Sequence, residues 1–214
     1  MARWTTGGTV RQIAPDRAGE ADPPARWRLF VAIDIGAAAR EAIGVAQGRC
    51  RAAAFPLRPV DPAGAHLTLR FLGTTDPARV PALGAALRAV AAAHEPFTLH
   101  SAAPGVFPGV ARPRVLWLGL AGPVGRLLAL QRATEAALVG CGVPRETRPF
   151  QPHLTIGRIA AAVPPAAHTA ALLAALPVAA APLPVTAIHL LRSTLGPDRA
   201  RYTTLLTVPL RGVA

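Results

Sequence analysis

His66-Leu67-Thr68-Leu69-Arg70-Phe71-Leu72-Gly73 and, further along, His153-Leu154-Thr155-Ile156-Gly157-Arg158 are the stretches around which the rest of the chain is read. In an extended strand successive side chains point to opposite faces, so His66 and Thr68 share one face while Leu67 and Leu69 take the other. The second stretch repeats the arrangement with His153 and Thr155 set against Leu154 and Ile156. Each is then a strand with core on one side and, on the other, one group that can move a proton near neutral pH beside one neutral hydroxyl donor. Two such half-sites facing each other would make one active site. With 16 Thr among 214 residues, the six histidines should meet a His-x-Thr spacing about 0.4 times by chance, against two found. The plainer reading, a core histidine beside a threonine chosen for its β-propensity, stays open at this level.

At 214 residues the chain can bury a sizeable core, as one large domain or two small ones. Apolar residues make up 51%, much of it alanine, and aromatic residues only 5%, the composition of an Ala-rich globular protein. The formal net charge is +12, and all 23 basic residues are Arg. That excess favours an anionic partner, since the guanidinium fork matches phosphate oxygens; a compositional bias toward Arg and Ala is the competing explanation. The absence of Lys excludes chemistry through a lysine adduct and excludes a Walker-type phosphate loop.

Cys50 and Cys141 are isolated thiols without C-x-x-C spacing, so no zinc site or disulfide framework is indicated and a cytoplasmic location is expected. The N-terminus has no apolar run of the secretory kind. Pro164, Pro165, Pro177, Pro182 and Pro184 cut the apolar stretch between Ala160 and Ile188 too short for a membrane helix, and no membrane association is expected.

Residues 1–26, rich in Gly, Pro, Arg and Asp, read as a flexible N-terminal extension, and residues 27–214 as the folded domain. Within it the pattern gives a strand over Arg28–Asp34, a helix over Ala37–Arg51, the first motif strand over Ala65–Leu72 and a helix over Pro77–Ala93. A strand over Phe97–Ser101, a loop over Pro104–Gly109, a strand over Arg114–Leu120 and a helix over Val124–Val139 lead to the second motif. A short helix over Ala166–Ala175 and strands over Val185–Arg192 and Tyr202–Pro209 complete the chain. The motifs lie 87 positions apart in similar surroundings, so an internal duplication is expected.

These residues resemble the two-histidine (2H) phosphoesterases, and within them the RNA 2′,3′-cyclic phosphodiesterases, also called 2′-5′ RNA ligases. Besides the two motifs, the resemblance takes in Arg28 to Asp34, Phe107-Pro108, Pro113 to Leu118, Pro152, Leu190-Leu191-Arg192-Ser193 and Arg201-Tyr202. It implies a bilobal, pseudo-twofold α/β (α+β) fold, in which two largely antiparallel sheets flank a central cleft and helices lie outside. It also implies metal-free hydrolysis of a 2′,3′-cyclic phosphate to a 2′-phosphate, with RNA ends or nucleotides as partners and no cofactor; a monomer is expected, although the sequence itself carries no signal of oligomeric state. In those terms His66 is the proton donor to the departing O3′, His153 the proton acceptor that activates water, and Thr68, Thr155 and Arg158 ligands of the phosphate. Other 2H activities, such as 2′-5′ end joining or ADP-ribose cyclic phosphate hydrolysis, and a non-catalytic RNA-end binding module, are the rivals.

The bare chemistry agrees with these roles: a cyclic phosphodiester needs a donor on one side, an acceptor opposite, and ligands for its free oxygens. Arg158, five residues after His153, falls on the wrong face of an ideal strand and needs a bend or bulge, for which Gly157 is the natural place. Family members usually carry an aromatic residue where Pro59 stands here. Phe71 could supply stacking, although regular alternation puts it on the core face; Tyr202 is a substrate contact or a packing residue. His94, His100, His168 and His189 share no ligand spacing, and no metal is expected.

Overall fold

The computed structural model describes residues 26–159, 164–177, 180–196 and 200–213; apart from Arg26, the N-terminal extension expected over residues 1–26 lies outside them. In chain order the elements are β1 (Trp27–Asp34), α1 (Gly36–Ala52), β2 (Leu57–Pro59), β3 (His66–Thr75), α2 (Val80–Ala92), β4 (Phe97–Phe107), β5 (Val115–Ala121), α3 (Val124–Gly140), β6 (Leu154–Ile159), α4 (Ala166–Ala175), β7 (Pro182–Val185), β8 (Ala187–Leu195) and β9 (Ala200–Pro209). The strands form two antiparallel sheets, ordered β3-β1-β8-β9 and β2-β6-β5-β4-β7. The first motif strand therefore belongs to one sheet and the second to the other, and the two touch where the sheets meet. Among the described residues no helix is long and apolar enough to cross a membrane.

Alternation along β1 separates the layers. Leu29, Val31 and Ile33 join the main core with Leu67, Leu69, Leu154 and Ile156, whereas Phe30 and Ala32 point to the other face, which lines the cleft. The helices are distributed crosswise. α1, which links β1 to the first motif, packs on β6, β7, β2 and β4 of the five-stranded sheet; α3, which precedes the second motif, packs on α2 and on β3 of the four-stranded one.

Two readings of the sequence need correction. The segment containing Pro104-Gly105-Val106-Phe107 is strand, the end of β4 paired to β5 from Pro104↔Leu118 to Phe107↔Val115. A register shift between Ala102 and Pro104 admits the proline where the ladder is already broken, so the Pro-Gly signal marks a bulge and not a loop. The single strand expected over Val185–Arg192 is two: the chain leaves one sheet at Val185 and enters the other at Ala187.

Arg70, inside the first motif strand, is 8% exposed. Its guanidinium donates to the Glu135 carboxylate on α3, to the Pro144 carbonyl in the segment leading to the second motif, and to the Phe71 carbonyl at 2.6 Å, with the Glu146 carboxylate 3.7 Å away. Glu135 in turn accepts the Glu146 backbone N–H at 2.9 Å. The cluster ties β3 to the approach of His153. Removing one partner of such a pair leaves a buried charge uncompensated, so Arg70→Leu should lower the stability read from urea unfolding by about 3 kcal/mol. Glu135→Gln, which keeps an acceptor, should cost clearly less.

Candidate active site

The first motif departs from regular alternation at two bulges in β3. Val31 faces Arg70 while Ala32 faces Thr68, and Leu29 faces Gly73 while Phe30 faces Phe71, so Leu69 and Leu72 are the extra residues. Up to Leu69 the expected faces hold: His66 and Thr68 are half-buried toward the cleft, Leu67 and Leu69 fully buried. Beyond it the phase inverts. Arg70 turns into the interior, and Phe71 comes out on the His66 side, 58% exposed and 5.9 Å from the Phe30 ring. The expectation that Phe71 packs in the core is thus overturned by the bulge at Leu69.

The second motif uses the same device once. Leu116 faces Gly157 while Trp117 faces Thr155, which makes Ile156 the extra residue in β6. The shift brings Arg158 onto the face of Thr155, exposed, opposite Val115 on β5 and opposite Arg58 on β2. Gly157 admits β2 at this point: a Cβ there would sit 2.6 Å from the Arg58 carbonyl oxygen and 2.8 Å from the Leu57 side chain.

The two histidines are held alike. His66 Nδ1 lies 2.8 Å from the Gly64 carbonyl, and His153 Nδ1 lies 2.7 Å from the Gln151 carbonyl, in each case two residues earlier. A carbonyl only accepts, so both rings carry the proton on Nδ1 and keep Nε2 for chemistry, as acceptor when neutral and donor when charged. Burial holds the His66 pKa below its usual 6.5; the Gly64 carbonyl opposes this, and a positive charge on His153 adds a smaller push downward.

Aromatic rings surround each histidine. The Phe30 ring lies 4.7 Å from His66, and Tyr202, 42% exposed, meets His66 edge-on at 5.0 Å. On the opposite sheet Phe107 meets His153 edge-on at 4.9 Å, with Trp117 beyond it at 6.3 Å. The Trp117 ring lies flat over Gly105, where a Cβ would come within 2.3 Å of it, and its buried indole N–H has no partner among the described residues. Phe30, Phe107 and Trp117 were not singled out from the sequence, because strand apolar residues read as core; Gly105 beneath Trp117 is the one local hint. Arg58 and Gln47 were also missed. Gln47 on α1 donates to the carbonyls of Val60 at 2.8 Å and of Ile156 at 2.9 Å, spanning the approach to the first motif and the bulge of the second.

His189 also reaches the cleft face, opposite Ala32, with Nδ1 3.1 Å from the Thr207 hydroxyl. Burial lowers its pKa and the Asp34 carboxylate works against that. Among the described residues no three His, Cys, Asp or Glu side chains are grouped to hold a metal ion.

Comparison with known proteins places this geometry. The family model of the 2′-5′ RNA ligase superfamily matches residues 37–197. An RNA 2′,3′-cyclic phosphodiesterase of Thermus thermophilus is 34% identical over 193 residues, 86% of this chain and 91% of that protein. One of Geobacillus stearothermophilus is 32% identical over 188 residues, 87% of this chain, which spans only 58% of that relative's length. The crystal structure of Escherichia coli LigT complexed with 3′-AMP superposes with a TM-score of 0.68 at 27% identity, covering 87% of this chain and 99% of that one.

The environment of His66 gives a direct test. An NMR titration should place its midpoint below 6.5, and His153→Gln, which removes the neighbouring positive charge, should raise that midpoint. In the folded protein this ring binds protons less readily than in the unfolded chain. Its contribution should therefore destabilise the fold as pH drops below about 6.5, and the loss should be complete below the folded value.

Proposed function

The chain belongs to the 2′-5′ RNA ligase superfamily, and from that premise we propose that it hydrolyses a terminal 2′,3′-cyclic phosphodiester on RNA or nucleotides to a 2′-phosphomonoester, by acid–base catalysis between His66 and His153. The observation that carries this reading is the matched pair of carbonyl clamps, which engages Nδ1 of each ring and leaves Nε2 for proton transfer, on two strands that touch where the sheets meet. A pure binding module has no use for two proton-transfer groups so prepared.

In this mechanism the cyclic phosphate lies between the rings, its free oxygens taken by the Thr68 and Thr155 hydroxyls and the Arg158 guanidinium. His153 Nε2 removes a proton from the attacking water as the P–O bond to that water forms. The P–O3′ bond breaks, and His66 Nε2 delivers its proton to O3′, so the phosphate stays on O2′. Burial makes His66 favour its neutral form, whereas the acid must be charged. The anionic substrate supplies the compensation, because a negative charge beside the ring stabilises the imidazolium. Phe71 and Tyr202 on one sheet, and Phe107 and Trp117 on the other, offer ring surfaces for the base and ribose.

The test is turnover of an oligonucleotide ending in a 2′,3′-cyclic phosphate, in EDTA, across pH. The profile should be bell-shaped, and the alkaline limb of kcat should lie above that of kcat/KM because bound phosphate raises the His66 pKa. His66→Ala and His153→Ala should each lower kcat by about 10² or more; Thr68→Ala and Thr155→Ala should cost less. Full activity in His66→Ala would dismiss the mechanism, and a 3′-phosphate product would reverse which oxygen that ring serves.

A further inference from the structure

We propose that Arg58, together with one edge of the Arg158 guanidinium whose other edge serves the cyclic phosphate, forms a second anion subsite that takes the internucleotide phosphate on the 5′ side of the terminal nucleoside, so that an oligonucleotide end is preferred to a mononucleotide; the five N–H donors of one guanidinium suffice for both phosphates. This rests on the phosphodiesterase reading above. The carrying observation is that the two arginines face each other directly across β2 and β6, both exposed. Like charges in that position repel. Among the described residues the carboxylate ion pairs go to Arg40, Arg70, Arg126, Arg148 and Arg211, and neither Arg58 nor Arg158 has one.

Several local features work to bring the two together. Gly157 is the residue whose missing side chain lets β2 approach, as its contacts with the Arg58 carbonyl and Leu57 show. The bulge at Ile156 turns Arg158 to the cleft face. Pro59 is tolerated because β2 is an edge strand, and the three-residue length of β2 leaves Arg58 as its central position. An arrangement that sets two guanidiniums side by side without a counter-ion is stabilised when an anion with several acceptor oxygens bridges them.

Position identifies the anion. From Thr155 to Arg158 the bulged strand advances by one same-face step, about 7 Å, comparable with the step from one backbone phosphate to the next. A 2′,3′-cyclic phosphate closes the 3′ end of its chain, so the only adjacent phosphate is the one 5′ of the same nucleoside. A mononucleoside cyclic phosphate lacks it.

The experiment compares kcat/KM for a trinucleotide ending in a 2′,3′-cyclic phosphate with that for a mononucleoside 2′,3′-cyclic phosphate, at several salt concentrations, in wild type, Arg58→Gln and Arg58→Lys. Arg58→Gln should lower the trinucleotide-to-mononucleotide ratio by about tenfold or more, mainly through KM, as expected for losing a charged hydrogen bond. The slope of log KM against log salt for the trinucleotide should fall by about 0.7, the share of one phosphate contact on a single strand. Arg58→Lys should keep the slope and recover only part of the ratio, because it keeps the charge and loses the fork. Removing a like-charge neighbour should leave the thermal midpoint of Arg58→Gln at or above that of wild type. Equal losses on both substrates would assign Arg58 to the cyclic phosphate itself and overturn the proposal, as would no loss on either. If wild type turned over neither substrate, the phosphodiesterase reading would fail and take this inference with it.

Discussion

The carbonyl of Ile156 accepts two hydrogen bonds, from the Val60 backbone N–H at 3.1 Å and from the Gln47 side-chain amide at 2.9 Å. Ile156 is the bulged residue of the second motif, so its backbone has dropped out of register with β5 and must find partners elsewhere. Val60 closes the segment that runs from β2 into the first motif. One carbonyl thus fastens the entry of one histidine strand to the bulge of the other, and α1 locks the junction. On the other side of the cleft Arg70 joins β3 to α3 and to the linker before His153. The proposed proton transfer would tolerate misplacement of only about half an ångström, and these two attachments, one polar and part-buried, one ionic and buried, brace the strands that carry the rings.

Around that frame the cleft is dressed with aromatic carbon. Phe30 lies under His66, Phe71 and Tyr202, and Phe107 and Trp117 flank His153. The rings take His66 partly out of water, which disfavours its charged form before any substrate arrives. They also make a surface on which the charge of the phosphate in the proposed mechanism would be poorly screened and therefore more effective.

Much of the architecture could be read from the chain because the elements obey their own periods. β1, α1, α3 and α4 fall within a residue or two of the boundaries that apolar spacing gives, and α4 coincides with them. The His-x-Thr pairs were legible because a period of two places them on one face with no need of tertiary information. What was hidden is where the period slips. A bulge leaves no residue signature at Leu69, so Phe71 read as core; at Ile156 the neighbouring glycine gave the slip away, and Arg158 was expected to need one. Arg58 and Gln47 were silent for another reason. Each is an ordinary polar residue on an edge strand or a helix, and only the pairing of β2 with β6, across about a hundred residues, gives either one a task.

The crosswise packing of the helices has a consequence for cooperativity. α1 leaves β1 of the four-stranded sheet yet covers the five-stranded one, and α3, strung between two strands of the five-stranded sheet, packs on β3 of the other. Neither sheet carries its own full cover, so a fluctuation that loosens one lobe strips a helix from the other. Opening by local unfolding of a single half is therefore penalised by nearly the whole folding free energy, and amide exchange in β3 and β6 should belong to the slowest, globally exchanging class.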